Sequence, residues 1–465
     1  MKAKAQSSKF KALTSNERSD MLGKKRMREI AERVLSLSAA QQTEVIIMSE
    51  DSGLTRFANS YIHQNVAERD VGLRVRTVVG KKIGVASIND LSQEALERVV
   101  ERALTIAKLQ PENPDFTSLP GPAPIAEIEA FDEATAAFSP EARARAVGVI
   151  CRQAVDNSLI ASGAFTTGAG ELAVANSLGV FAYHSTTSAD INTVIMSDDS
   201  SGYAAATAWK VGDINTELIG KEAVEKALQS RHPRDLPPGR YPVILEEYAV
   251  ADIIETLAYL GLGALSVQEG RSFMIDRFGE QIMSDVISIW DDGLDPTGLP
   301  MPFDFEGVPR QRVDLIKGGV AEAVVYDSYT AGKEGKASTG HGLPAPNTFG
   351  PIPGHIFMAP GEANKEEMLD TMERGILVTR FHYTRPVHPK LAIVTGMTRD
   401  GTFLVEKGEI AYPIKNLRFT QSYIEALANV ELVSRATRLQ QNWFGGTRAP
   451  ALKLTEFEFT GATEF

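Results

Sequence analysis

The sequence of 465 residues is poor in cysteine, since Cys151 is the only one, and this scarcity excludes an internal disulfide framework. It also lacks any uninterrupted apolar run long enough to span a bilayer, and its first residues lack the apolar core of a secretory signal peptide. With 43% hydrophobic and 23% charged residues, the composition is that of an ordinary globular protein. We therefore expect a cytoplasmic protein that makes no contact with a membrane.

Positive charge is also in short supply, with 48 Lys and Arg against 60 Asp and Glu. The net charge of −12 argues against binding to nucleic acid, because neutralising phosphates dominates that interaction. Residues 1–33 are the exception, with ten basic against four acidic residues. We interpret them as a solvated basic arm that leads into a helix over Glu17 to Leu37, while contact of this arm with RNA or an acidic partner is the alternative.

The length exceeds what one hydrophobic core usually organises, so two domains are expected. Three prolines between residues 231 and 240 break both helical and strand periodicity, and they predict a linker there. The sequence therefore predicts an α+β fold with an N-terminal mixed sheet-and-helix domain and a mostly antiparallel β C-terminal domain. The predicted boundaries are 1–42 for the basic arm and its helix, 43–230 for the first domain, 231–240 for the linker and 241–465 for the second domain.

Local patterns predict several elements. Ser139 and Pro140 are typical of a helix cap and first helical position, and this helix should run to Asp156. Alternating residues over Thr55 to Arg69 predict one long, bent strand, and those over Ala161 to Ala208 predict an antiparallel meander. In the second half, we expect a helix from Lys365 to Arg374 capped by Asn364, a turn at Arg399 to Gly401, and a helix from Ser422 to Val433.

The central stretch Tyr241 to Met274 is predicted to be a strand followed by a helix. After Glu246 and Glu247, apolar residues recur at helical spacing, and the two glutamates complement the positive charge of the first-turn amides. Gly261 and Gly263 are expected to stop the helix through a left-handed cap.

This segment, with the sequences around it, resembles the TldD and TldE (PmbA) family, in which two subunit types pair into a metallopeptidase. The catalytic subunit of that family carries His-Glu-x-x-x-His on this helix. In this sequence Glu255 stands at the first histidine, Thr256 at the catalytic glutamate and Leu260 at the second histidine. The third ligand implied by the resemblance is a cysteine in the C-terminal half, whereas Cys151 precedes the helix.

These replacements remove the chemistry that zinc catalysis needs. Leu260 has no lone pair to offer a metal, and the Thr256 hydroxyl is too weakly acidic to act as a base near neutral pH. The resemblance therefore implies a non-catalytic, TldE-like subunit with no cofactor of its own. Its partner would be a TldD-like catalytic subunit that carries the zinc, and the pair would degrade or process unfolded peptides.

Two alternatives remain open. In the first, Glu255 joins His382 or His388 in a different metal site, and the chain is an autonomous peptidase. In the second, the chain is a homodimeric module that binds peptides without cutting them.

Four further residues are candidates for contact with a substrate. His341 lies in a loop rich in Gly, Ser and Thr, and His382, Tyr383 and His388 lie in the block most similar to the family. Strand alternation predicts that His382 and Tyr383 point to opposite faces.

Overall fold

The computed structural model describes residues 21–463, and its 25% helix and 41% strand confirm the predicted α+β class. The helices are Gly23–Leu37 (α1), Gln93–Leu109 (α2), Glu133–Ala136 (α3), Pro140–Asp156 (α4), Thr216–Gln229 (α5), Glu247–Gly261 (α6), Ala264–Gln268 (α7), Ser328–Glu334 (α8), Lys365–Asp370 (α9) and Tyr423–Ala428 (α10). The predicted helix that begins at Glu17 starts outside the described residues.

The strands alternate with these helices in the first half and dominate the second. They are Gln42–Ala58 (β1), Tyr61–Val79 (β2), Lys82–Ile88 (β3), Ile160–Asn176 (β4), Phe181–Met196 (β5), Ser201–Ala208 (β6), Gly239–Leu245 (β7), Ile289–Asp291 (β8), Val313–Lys317 (β9), Val320–Ala321 (β10), His355–Met358 (β11), Arg374–His388 (β12), Ile393–Glu406 (β13), Glu409–Pro413 (β14), Leu417–Ser422 (β15), Val430–Gln441 (β16) and Gly446–Ala462 (β17).

The first six strands form one antiparallel sheet in the order β3-β2-β1-β4-β5-β6. Helices α1 and α2 bury apolar side chains against β1 to β4, and α4 and α5 do the same against β4 to β6. The predicted cap of α4 is confirmed, because the Ser139 hydroxyl accepts a hydrogen bond from the Ala142 amide at 3.2 Å. Cys151 lies buried in the second of these cores.

One strand prediction in this half is wrong. Thr55 to Arg69 is not a single bent strand, because the chain reverses at Asn59 and Ser60, whose φ angles are 51° and 60°. Two successive residues with positive φ make the tight turn that matches the twist of a hairpin, and asparagine tolerates this conformation well. The reversal lets β1 pair with β2 along nearly its whole length.

The remaining strands form an eleven-stranded, mostly antiparallel sheet, with two parallel pairings, β7 with β12 and β11 with β17. Strands β7, β12, β13, β15 and β17 pair in a closed ring, since β7 contacts both β12 and β17. Aromatic side chains fill the core beside this ring: Phe381, Phe419, Tyr423, Phe457 and Phe459. Helix α6 packs against β12 and β17, so the ring supports the candidate site.

Two further predictions need correction. Residues 399–401 do not form a turn; Asp400 and Gly401 have positive φ and make a bulge inside β13, and the chain continues along the sheet. The Asp400 carboxylate is buried there and accepts hydrogen bonds from Ser201 at 2.7 Å and Arg380 at 2.6 Å. The predicted helix over 422–433 is limited to α10, because β16 begins at Val430 and pairs with β17.

The proline-containing connection over 231–240 links the two sheets. Its last two residues already belong to β7, and the Arg234 amide donates to the Pro413 carbonyl at 2.9 Å. The predicted domain boundary at this connection stays a prediction.

Candidate functional site

Helix α6 lies where the sequence predicts it, directly after β7, but its end is built differently. The residue that follows it, Leu262, has a φ of −93°, so no left-handed cap is present. Gly261 and Gly263 instead allow close packing. A Cβ atom at Gly261 would come within 2.5 Å of the Phe273 ring, and one at Gly263 within 2.0 Å of the Pro351 carbonyl oxygen.

The three motif positions divide between a cavity and the core. Glu255 and Thr256 line a cavity, whereas Leu260 is only 4% exposed and belongs to the main apolar core. Leu260 therefore has a packing role.

Glu255 and Thr256 belong to a stripe of four partly exposed residues on α6, with Asp252 and Tyr259 as the other members. The four lie at spacings i, i+3, i+4 and i+7, which places them on one face of a helix. This stripe was readable from the sequence, because it interrupts a helix that is otherwise apolar. The sequence analysis considered only the motif positions and so missed Asp252.

Asp252 is held by two hydroxyl groups and faces no cation among the residues that contact it. Its carboxylate accepts hydrogen bonds from Thr384 at 2.8 Å and from Tyr423 at 3.0 Å. Burial raises the pKa of Asp252 to about 6, although these two hydrogen bonds act in the opposite direction. The side chain is thus fixed in position and still ionises below neutral pH.

Glu255 lies one helical turn further on and has a stronger shift. Burial raises its pKa to about 8, the nearby charge of Asp252 adds to the shift, and the Thr447 hydroxyl partly opposes it. Glu255 is therefore largely protonated at pH 7 while Asp252 is largely ionised. Together the two residues carry about one negative charge.

Two cavities of about 520 and 440 Å³ meet at Glu255, which lines both of them together with Asn442 and Trp443. We call these two cavities the groove. The larger one has aromatic and apolar walls, and the smaller one is polar and contains Asp190 and Asn192 from β5. The groove thus runs from the C-terminal unit to the edge of the six-stranded sheet.

The larger cavity is lined by large apolar side chains that are unusually exposed to solvent. Trp443 is 93% exposed, and Tyr259 and Phe349 are each 54% exposed, with their rings 6.1 Å apart. Exposed aromatic surface of this kind is typical of a binding site. Of the described residues that line the groove, three are carboxylic acids and none is Lys, Arg or His.

In the first turn of α6, by contrast, the carboxylates are paired with lysines. The Glu246 carboxylate lies 2.6 Å from the Lys226 ammonium and 3.1 Å from that of Lys365, which also contacts Glu247 at 3.1 Å. Burial by itself would raise the pKa of Glu246, but the two lysines outweigh it and lower the pKa to about 2. These ion pairs anchor α6 to α5 and α9.

His341 is fully enclosed, with 1% of its surface exposed. Its Nε2 atom lies 2.8 Å from the Asp291 carboxylate, and its Nδ1 atom lies 2.9 Å from the Thr339 hydroxyl. Burial lowers the pKa of His341, and its charge interaction with Asp291 acts in the opposite direction. Contact with a substrate at this residue would require the surrounding loop to open, and the predicted role stays a prediction.

His382, Tyr383 and His388 lie on the β12–β13 hairpin, and none of the three lines the groove. The predicted opposite orientation of His382 and Tyr383 is wrong. Tyr383 has a φ of 54°, so the alternation breaks and the two rings meet edge to face at 4.6 Å. His388 is exposed and accepts a hydrogen bond from the Leu391 amide. Their role in substrate contact stays a prediction.

The residues at the motif positions do not fit zinc. At the two ligand positions Leu260 supplies no donor atom and Glu255 alone offers a carboxylate, while Thr256 stands in place of the catalytic glutamate. Within residues 21–463, no three His, Cys, Asp or Glu side chains are grouped closely enough to hold a metal ion, so neither His382 nor His388 joins Glu255 in such a group. Over the same residues, no helix combines the length and the apolar character needed to cross a membrane.

Comparison with known proteins defines the class to which this architecture belongs. Three family models cover most of the chain, and all three describe metallopeptidase domains: PmbA/TldA metallopeptidase domain 1 matches residues 43–107, the central domain matches 118–231 and the C-terminal domain matches 238–461. The chain therefore belongs to the PmbA/TldD family, which confirms the resemblance noted in the sequence.

Relatives in this family have low sequence identity to this chain, but the matches extend over long stretches of it. The chain is 28% identical over 395 residues to metalloprotease PmbA of Escherichia coli O157:H7, with 80% of this chain and 82% of that protein covered. It is 27% identical over 266 residues to a TldD homolog of Haemophilus influenzae, with 54% of each covered.

Solved structures share the fold. TldE from Thermococcus kodakarensis superposes with a TM-score of 0.86 at 20% identity, covering 94% of this chain and all of that one. A protein of Thermotoga maritima described as a putative modulator of a DNA gyrase gives a TM-score of 0.85 at 22% identity, covering 93% of this chain and all of that one.

Proposed function

We propose that this chain is a non-catalytic, TldE-like subunit of a metallopeptidase, which pairs with a TldD-like subunit that carries the zinc and the catalytic residues. One observation carries the proposal. The family's metal helix is present and well packed, yet Leu260 is part of the apolar core and Thr256 cannot replace a catalytic glutamate. Packing has taken the place of metal binding on this helix.

The groove supplies the second part of the proposed role. It passes beside the former metal positions, and its aromatic walls suit side chains of an extended, unfolded peptide. In this proposal the chain holds part of the peptide while the partner's zinc centre cuts it.

The proposal is tested by co-expressing the chain with a TldD-like subunit from the same genome. We expect a complex on size-exclusion chromatography and peptidase activity that requires both chains. No complex, or activity that does not change when this chain is left out, rejects the proposal. A homodimer that binds peptides in the absence of any partner would instead favour the peptide-binding module.

The autonomous peptidase with an unusual metal site makes a different prediction. The chain purified alone without chelator would contain about one equivalent of metal and would lose peptide cleavage in the Glu255→Gln variant. The proposed function expects less than a tenth of an equivalent of zinc by mass spectrometry and no cleavage by the chain alone.

A further inference from the structure

The lining of the groove is unbalanced in charge, and this imbalance indicates what the groove binds. Asp190, Asp252 and Glu255 supply carboxyl groups, while no described lining residue supplies a positive charge. Elsewhere on the same helix, buried carboxylates are neutralised by lysines within 3.1 Å. A buried carboxylate without a counter-charge is costly, so the groove is complementary to a ligand that brings one.

The geometry indicates that the positive charge of the ligand contacts Glu255. The Asp252 oxygens are already occupied by the Thr384 and Tyr423 hydroxyls, whereas the partner identified for the Glu255 side chain is the single Thr447 hydroxyl. Glu255 also lines both cavities, so it stands where they join. A ligand group bound by Glu255 can therefore be flanked by other parts of the same ligand, one in each cavity.

The aromatic walls restrict the ligand further. Tyr259, Phe349 and Trp443 offer apolar faces next to the carboxyl groups, and aromatic faces also attract cations. A simple metal ion would not use these walls, and the two carboxyl groups of the larger cavity, Asp252 and Glu255, are too few to enclose one. The lining favours an organic cation with an attached chain.

We propose that the groove binds a peptide through a positively charged amino group placed at Glu255, with the adjoining residues against Tyr259, Phe349 and Trp443. This inference rests on the proposed function, because it names the kind of peptide that the subunit would hold. The amino group belongs either to the peptide's N-terminus or to a lysine side chain, since both present the same ammonium.

The surroundings of Glu255 imply that binding is linked to protons. The titratable groups that face it from the packed elements are Asp252 on α6, Asp190 on β5 and Tyr203 on β6. Behind Tyr203, the Arg380 guanidinium stacks on the ring and is neutralised by Asp400. Since Glu255 is largely protonated at pH 7, an arriving ammonium should displace its proton. Affinity for a lysine ammonium should rise with pH between 6 and 9, whereas affinity for an N-terminal ammonium should rise only to about pH 8, where that group itself loses its proton.

The test uses three labelled peptides of the same length and composition apart from one group. One has a free N-terminus and no lysine, one is N-acetylated with a central lysine, and one is N-acetylated with norleucine in place of that lysine. Binding to the full chain is measured by fluorescence anisotropy, and proton release by calorimetry in two buffers. We expect one or both amino peptides to bind about tenfold more tightly than the neutral one, the scale of one charge-assisted hydrogen bond.

Two variants locate the effect. Glu255→Gln should abolish both the preference for the amino peptide and the proton release, while affinity for the neutral peptide stays within about twofold. Glu425→Gln, the same change at an exposed position on α10, should leave all three affinities unchanged. Trp443→Ala, at a side chain that is 93% exposed, should weaken every peptide to a similar extent.

Equal affinity for the three peptides, no binding at all, or a preference that survives Glu255→Gln would overturn the proposal. Assembly with the TldD-like subunit is scored separately on the same preparations. Loss of assembly rejects the proposed function, whereas loss of amino-group preference in a chain that still assembles rejects only this inference.

Discussion

The start and the middle of α6 place buried carboxylates in opposite electrical surroundings. In the first turn, Glu246 is neutralised by Lys226 and Lys365, and its pKa falls to about 2. Two turns later, Asp252 and Glu255 have only hydroxyl partners, and their pKa values rise to about 6 and about 8. Burial acts in the same direction at all three residues, so the lysines alone decide the sign of the shift.

This contrast separates a structural role from a functional one on a single helix. The buried ion pairs of Glu246 join α6 to its neighbours. Their charges are already neutralised, so they have no unpaired charge with which to bind a ligand. An unneutralised pair beside a cavity costs stability and is ready for a ligand of opposite charge, which is why perturbed pKa values often mark functional sites. Three changes test this division.

The largest effect is expected from Glu246→Ala. It would leave the Lys226 ammonium, with 12% of its side chain exposed, beside Glu222 alone, and breaking a buried pair from one side typically costs ~3 kcal/mol of unfolding free energy. Urea unfolding at pH 7 measures the loss. The matched control is Glu456→Ala, which removes an exposed contact with Arg240 and should cost less than ~1 kcal/mol. Equal losses in the two variants would contradict the anchor role.

A smaller effect of opposite kind is expected at Glu255. Because its pKa is about 8 in the folded chain and 4.5 ordinarily, the folded state binds more protons between these values, and stability falls as the pH rises through that window. Glu255→Gln should remove this loss. The full shift corresponds to roughly 4–5 kcal/mol, but Glu255 is partly exposed and solvent screens its charge, so we expect the variant to be more stable than the parent by ~2 kcal/mol at pH 8.5 and by nothing measurable at pH 4.5.

Glu246 should show the reverse dependence, which sharpens the comparison. Its pKa is lowered, so the stability that it contributes is present above pH 4.5 and is lost as the pH falls towards 2. The deficit of Glu246→Ala should therefore shrink in acid, while the advantage of Glu255→Gln should grow as the pH rises from 4.5 to about 8 and then level off. Parallel pH profiles for the two variants would refute the assignment.

The smallest effect on stability is expected from Trp443→Ala. With 93% of its surface exposed, Trp443 contributes little packing, and its loss should change the unfolding free energy by less than ~0.5 kcal/mol. Thermal unfolding measures this change. A large loss of stability would show that Trp443 supports the fold and would weaken its role as a wall of the groove.

Much of the fold could be predicted because short-range patterns determine it. The Ser139 cap, the Asn364 cap and helix α6 each follow from residues within one or two turns. Two of the errors arose where residues distant in sequence contribute. At the bulge, the Asp400 carboxylate accepts hydrogen bonds from Arg380 and Ser201, and the segment after Ala428 pairs with β17 instead of continuing the helix.

In the candidate site, too, some features follow from the sequence alone and others only from the tertiary structure. The sequence by itself determined that Leu260 has no donor atom for a metal and that Thr256 has no carboxylate to act as a base, because the identity of a side chain sets its chemistry. Helical spacing also sets Asp252 and Glu255 on one face, although the sequence analysis singled out only Glu255. Only the tertiary structure decided that Phe349 and Trp443 meet them around a groove and that no described lysine or arginine lines it. The electrostatic surroundings and solvent exposure of a side chain depend on neighbours that folding brings together. They cannot be predicted from the spacing of residues along the chain.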